Sequence, residues 1–232
     1  CLRGDDPHCP NRTTLGIFNR PGSMADLVSI PIDCLHAVPD DVSDRQAVFV
    51  EPLAAALEIL QQTHLRPTDR VALVGDGKLG LLIAQVLRLP GCEVTVVGRH
   101  PERWALLHRQ GIQTVASTAA EGWYDVVVDV TGNPDGLKTS RKLVRPRGRL
   151  VMKSTVAAET QLDLTMLVVD EIQLIGSRCG PFAAALRLLQ RNLIETEPLL
   201  SGIYAMDNAM AAFTASKGAL KVVLDMQMGI EN

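Results

Sequence analysis

The chain has 232 residues, 47% of them hydrophobic, and a formal net charge of −3. Without a basic excess it cannot neutralise a phosphate backbone, which excludes nucleic acid as a partner; the one basic cluster, Lys138 to Arg149, suits the negative end of a helix. No apolar run approaches the roughly 20 residues of a bilayer span, nothing at the start reads as a signal segment, and five cysteines fit reduced thiols, so no membrane and a cytoplasmic setting are expected.

Residues 1 to about 46 are rich in Pro, Gly and Asp, and the apolar stretches beginning at Asp26 and Cys34 predict short strands joined by turns. The opening residue is Cys1 and its surroundings carry no apolar period, so this zone reads as an irregular lobe cut before its beginning. Ser43 and Asp44 are N-cap candidates for a long helix reaching Gln62, kinked or restarted at Pro52. From there strands and helices alternate. Strand 71–74 leads to helix 79–89, strand 93–97 to helix 101–110, and short strand 113–116 to strand 125–129 and helix 134–143. Strands at 149–153 and 171–176 complete the series. Continuous Val/Leu/Ile runs with helices between them predict an α/β fold, a doubly wound parallel sheet covered on both faces. A last zone, helix 181–193, strand 200–205, helix 207–216 and strand 219–225, is too short to stand alone and is expected to pack with the first.

Between the first strand and its helix stands Gly75-Asp76-Gly77-Lys78-Leu79-Gly80, the spacing of the dinucleotide fingerprint in its working context. Gly75 permits the tight turn, Gly77 lets backbone approach a pyrophosphate, and Gly80 lets helix and strand pack closely. The helix N-terminus then offers free N–H groups to the phosphates. The second strand ends in Gly98-Arg99-His100, with no carboxylate before Glu102 to bond a ribose 2′-hydroxyl. Gly98 leaves room, Arg99 can hold a 2′-phosphate bidentately, and Arg103 lies one helical turn on, so NADP is preferred over NAD as the cofactor.

In this order the residues resemble the zinc-type, alcohol dehydrogenase-like branch of the medium-chain dehydrogenase/reductase superfamily, near threonine and sorbitol dehydrogenases. The likeness rests on Cys1 and Cys9 at the spacing of a structural-zinc lobe, Leu15-Gly16-Ile17, Gly22 to Leu27, Leu35 to Ser43, Glu51-Pro52-Leu53, the glycine loop, Asp129 to Gly132, and Arg149 to Lys153. It implies a Rossmann sheet inserted in a GroES-like, β-rich catalytic domain. Residues 1–52 are then the end of the catalytic domain, 53–178 the NADP-binding domain, and 179–232 the return segment. It also implies Thr131 and Gly132 along the cofactor, Lys153, Ser154 and Thr155 at its nicotinamide end, and Lys221 on the pyrophosphate. Glu51 falls where the branch has a zinc ligand or a carboxylate beside it, although a carboxylate in the first turn of a helix is equally an ordinary stabiliser.

The family's main catalytic ligands belong upstream of Cys1, and two cysteines cannot close a tetrahedral zinc site. The chain by itself is therefore expected to be inactive, a fragment of a complete zinc enzyme that moves hydride between NADP(H) and an alcohol, polyol or corresponding carbonyl. Two alternatives stay open: a zinc-free quinone or enoyl reductase of the same superfamily, and a non-catalytic NADPH-binding pseudoenzyme. A homodimer or homotetramer joined at the edge strand is expected by analogy.

Overall fold

A run such as Val71-Ala-Leu-Val74 has no polar face, and such a strand persists only where both sides are covered. In the computed structural model, which describes residues 8–155 and 161–228, these runs form one sheet. Its strands are β1 (Arg70–Val74), β2 (Glu93–Gly98), β3 (Gln113–Ala116), β4 (Tyr124–Asp129), β5 (Val144–Met152) and β6 (Gln173–Gly176). They pair in the order β3-β2-β1-β4-β5-β6, and every pairing is parallel. This is the doubly wound arrangement, with its reversal of winding between β1 and β4.

The helices are α1 (Asp44–Ala47), α2 (Val50–Gln62), α3 (Lys78–Arg88), α4 (Ala105–Arg109), α5 (Pro134–Leu143), α6 (Leu164–Val169), α7 (Phe182–Gln190) and α8 (Ala209–Ala215). Alternate residues of β1 enter different cores, as the two-residue period of a strand requires. Val71 and Leu73 pack with Leu53 and Ile59 of α2, Leu82 and Ile83 of α3, and Leu186 and Leu189 of α7. Ala72 and Val74 pack on the other face with Val127, Leu137 and Leu150. A second, two-stranded parallel sheet pairs β7 (Leu200–Ala205) with β8 (Lys221–Asp225), and α8 is the crossover between them.

Gln85, on α3, is 1% exposed and fully engaged. Its Nε2 donates to the carbonyls of Leu81 at 3.3 Å and Glu195 at 3.1 Å, while its Oε1 accepts from Glu195 N at 2.8 Å and Gln110 Nε2 at 2.9 Å. The segment after α7 is thereby bonded through both backbone groups of one residue to the middle of α3.

Several elements differ from expectation. The long helix starting near Ser43 breaks at Val48 and Phe49, before Pro52, which then occupies the first turn of α2. First-turn N–H groups have no intrahelical acceptor, so the proline costs nothing there. The stretch 101–110 is a short 3-10 turn followed by the shorter α4. β5 begins five residues earlier than the run at Arg149, with a register shift opposite Tyr124 and Val126 that accommodates Pro146. The chain divides into two compact units, Cys1–Val38 and Pro39–Asn232. In the first, the strands expected near Asp26 and Cys34 do not form among the described residues; a single bridge, Thr14 with Phe18, and a 3-10 turn at Ile32–Cys34 stand instead. Leu27 and Ile32 are 91% and 82% exposed there, so no covered face rewards an extended ladder.

Candidate functional site

The carboxyl ends of the strands carry the polar and glycine positions, and where the winding reverses they leave a crevice. A cavity of about 280 Å³ opens there, lined in part by Gly75, Asp76, Gly77, Gly98, Arg99, His100 and Thr131. Gly75 turns the chain at φ 121°, a conformation side chains rarely adopt, and a Cβ on it would lie 3.0 Å from a methyl of Val130. At Gly80 a Cβ would sit 2.2 Å from the Gly75 carbonyl oxygen, so α3 can approach β1 this closely only without one. At Gly77, by contrast, nothing lies within 4 Å. This is open space in front of the N-terminus of α3, which has no side-chain cap and no acid in its first turn. Its free N–H groups and positive end are directed to whatever enters.

Asp76 organises the far wall. It is 4% exposed, and its Oδ2 accepts from Arg99 N at 2.9 Å, His100 N at 2.7 Å and Trp104 Nε1 at 3.0 Å. His100 Nδ1 lies 2.8 Å from Oδ1. Burial pushes the Asp76 carboxyl up, but the donors from His100 and Trp104 outweigh it and hold the group below its ordinary range. Arg103, placed near Arg99 by spacing alone, is occupied elsewhere: its Nη2 donates to the Gly218 carbonyl at 3.2 Å and its Nε is 3.8 Å from Glu102.

Under the floor, Asp129 is fully buried and takes the backbone N–H and hydroxyl of Thr131 on Oδ1 at 2.9 and 2.8 Å. Its Oδ2 has no hydrogen-bond partner among the described residues, and burial pushes the carboxyl up against those Thr131 bonds. Gly132 turns the chain away at φ 69°. Lys153, at the end of β5, is only 8% exposed; its Nζ donates to Ser177 Oγ at 3.1 Å and to the Arg178 carbonyl at 2.5 Å. Burial pulls its ammonium down to about 8, against the opposing pull of Glu58, Cys179 and Glu51. Ser154 and Thr155 follow it toward solvent.

A second cavity, of about 460 Å³, brings Glu51 and Lys78 to Lys221, with Leu79 in its wall. Lys221 lies 5.0 Å over the Phe49 ring. Burial lowers its ammonium and Lys78 adds to this, while Glu51 opposes both. Glu51 thus stands among cations: its charge acts on Lys221 and on Lys153. Among the described residues no group of three or more His, Cys, Asp or Glu could hold a metal ion. Cys9 is half-buried and free, Cys34 and Cys179 are exposed and free, and Cys1 lies outside the described residues. Of the residues found by spacing, Gly75, Gly77, Gly98, Arg99, His100 and Thr131 line the crevice and Glu51, Lys78, Leu79 and Lys221 the cationic cavity, while Gly80, Arg103, Gly132 and Lys153 to Thr155 line neither. Asp76 and Trp104 carry no signal along the chain, because the acid that meets the end of β2 comes from across space, out of the glycine loop.

The family described as zinc-binding dehydrogenase matches residues 79–191. Sorbitol dehydrogenase of Halalkalibacterium halodurans is 28% identical over 97% of this chain and 71% of its own length. 2-Dehydro-3-deoxy-L-galactonate 5-dehydrogenase of Pseudoalteromonas atlantica is 25% identical over 94% of this chain and 68% of its own. A Sinorhizobium meliloti structure described as a zinc-binding dehydrogenase bound to NADP superposes with a TM-score of 0.86 at 25% identity, covering 97% of this chain and 72% of that one.

Proposed function

We infer that this chain belongs to the zinc-type alcohol dehydrogenase family of the medium-chain dehydrogenases and is the cofactor-binding part of an oxidoreductase that moves hydride between NADP(H) and an alcohol or polyol, or its carbonyl. The observation that carries the cofactor assignment is the crevice itself: an uncapped helix end, open space at Gly77, and Arg99 and His100 opposite. Gly75, Gly77 and Gly80 give the pyrophosphate its approach to α3, and Lys78 and Lys221 face its charge from the second cavity. Arg99 and His100 take the adenosine 2′-phosphate. Thr131 and Gly132 run beside the cofactor, and Lys153, Ser154 and Thr155 mark the nicotinamide end. Arg103 plays a supporting part through Gly218 rather than on the phosphate. NADP, when bound, supplies the hydride chemistry; the protein supplies position and field.

Zinc belongs to the complete protein. Glu51 and Cys9 do not fit a site by themselves, Glu51 being matched by lysines and Cys9 lacking companion donors among the described residues. Residues 1–52 and 179–232 are assigned to the catalytic domain and 53–178 to the cofactor domain. The cytoplasm is the proposed setting; no helix among the described residues is long and apolar enough to cross a membrane. A homodimer or homotetramer joined along β6 is proposed, supported by the edge position of that strand and by the exposed Val168 and Val169 of α6 before it.

Titration with NADPH and NADH, followed by nicotinamide fluorescence, tests the cofactor assignment. NADPH should bind more tightly, and Arg99→Ala should remove about tenfold or more of that preference, the worth of one charge-assisted contact. Equal loss for both cofactors would overturn it.

A further inference from the structure

We propose that Asp76 is the positioning residue of the 2′-phosphate subsite: it acts through His100 to make the crevice select a phosphorylated ribose. This rests on the NADP assignment above.

A carboxylate beside the end of β2 would ordinarily select the opposite ligand. It bonds a ribose diol and repels a phosphate. Asp76 is in that neighbourhood, since a Cβ on Gly98 would lie 2.2 Å from its Oδ2. Yet its Oδ2 is filled and its Oδ1 is engaged. Four donors reach it, from Arg99 N, His100 N, His100 Nδ1 and Trp104 Nε1, and the side chain is 4% exposed. Three of the four fall on Oδ2 and one on Oδ1, and with about two acceptor sites per oxygen a single site on Oδ1 remains, too few to bond both hydroxyls of a ribose diol.

The same four bonds dictate what the wall presents instead. With Asp76 ionised and able only to accept, Nδ1 of His100 carries the hydrogen and Nε2 is the ring nitrogen left to a ligand. The pair has the form of a carboxylate orienting an imidazole, the device by which buried acids fix a histidine ring. The two backbone bonds hold the peptides of Arg99 and His100, so both side chains start from a fixed backbone. When the ring is protonated, Asp76 balances its charge from behind, 2.8 Å from Nδ1, and the front of the ring is available to an anion. Gly98 is required for the same reason: any side chain there would displace the acid. An acid in the glycine loop is in this way converted from an NAD determinant into a support for NADP.

The test is to measure dissociation constants for NADPH and NADH on the full chain carrying Asp76→Asn, His100→Gln, and both together. Asn keeps one acceptor and loses the charge. The ratio of NADPH to NADH affinity should fall about tenfold in each single variant, the scale of one charge-assisted bond, and no further in the double variant, because the two residues act as one unit. If both cofactors weaken in parallel and the ratio stays, Asp76 is only a loop scaffold and the inference is wrong. It is equally wrong if the double variant loses the product of the single effects. His100→Gln leaves the Asp76 backbone bonds intact, so it reports even if Asp76→Asn fails to fold. An unsubstituted chain that prefers NADH would overturn the NADP assignment together with this inference, whereas a retained preference in the variants overturns the inference alone.

Discussion

Gly77 and Gly80 belong to one motif and one turn of chain, yet alanine should damage them in different ways. At Gly80 the new methyl would lie 2.2 Å from the Gly75 oxygen and 3.0 Å from its carbonyl carbon, both backbone atoms. Gly75 cannot retreat easily, being held at φ 121° with its N–H on the Val97 carbonyl at 2.9 Å. Restoring the 3.4 Å of ordinary contact means moving α3 away from β1. Overpacking of that kind costs about 1–3 kcal/mol, while the gain in helix propensity from glycine to alanine returns about 1 kcal/mol at most. Gly80→Ala should therefore lower the urea-unfolding free energy by about 1–2 kcal/mol. At Gly77 φ is −78°, which alanine adopts freely, and nothing lies within 4 Å. Alanine caps a helix less well than glycine, at a cost of about 0.5–1 kcal/mol, so stability should fall by less than at Gly80. What the methyl occupies is the approach of the pyrophosphate, and NADPH affinity should drop about tenfold or more, at about 1.4 kcal/mol per decade. Energy transfer from Trp104, which is bonded to the crevice through Asp76, to the nicotinamide gives the binding curve. A Gly77→Ala chain that binds NADPH as well as the parent, or that unfolds as readily as Gly80→Ala, would refute the assignment of that open space to the cofactor.

Two further outcomes follow from other parts of the molecule. Burial lowers Lys153 from 10.5 to about 8, so between those values the unfolded chain holds the proton that the folded one has lost, and stability rises with pH across the window by up to about 3 kcal/mol. Urea unfolding on either side of the window should show that Lys153→Met lacks this part of the rise; an unchanged slope would count against it. Val168, 77% exposed on α6, should be covered in the proposed dimer, and Val168→Asp should shift sedimentation toward the monomer without changing the unfolding midpoint of the monomer itself. A parent chain that already sediments as a monomer would remove the proposal.

The sheet was legible because its strands are written twice, once in apolar runs such as Val94 to Val97 and again in the helical intervals between them. The glycine loop was legible because three positions with distinct steric demands recur at fixed spacing. What escaped depends on distance across space. Asp76 looks like a filler residue of the loop until β2 is laid beside β1 and its carboxylate meets Gly98. Arg103 looks like a phosphate ligand until the return segment brings the Gly218 carbonyl to it at 3.2 Å. Helix α6 went unread since Leu164, Val168 and Val169 are 64%, 77% and 67% exposed and show no one-sided apolar stripe. The expected strands of the first unit had suitable residues but, among the described residues, no neighbouring strand to complete a ladder.

The Gln85 amide gives the return segment a standing that chain order conceals. It receives and donates at the same distant residue, Glu195, while Leu186, Leu189 and Leu199 fill the core that α2 and α3 share. A nucleotide-binding sheet ending at residue 178 would keep all six of its strands and still be incomplete. It would carry an amide stripped of two of its four partners and a hole where three leucines had been. In the sense of cooperative unfolding, residues on both sides of that boundary open together or not at all. α7 and Glu195 therefore fold as one unit with the six-stranded sheet, although the proposed domain boundary at residue 178 falls before them.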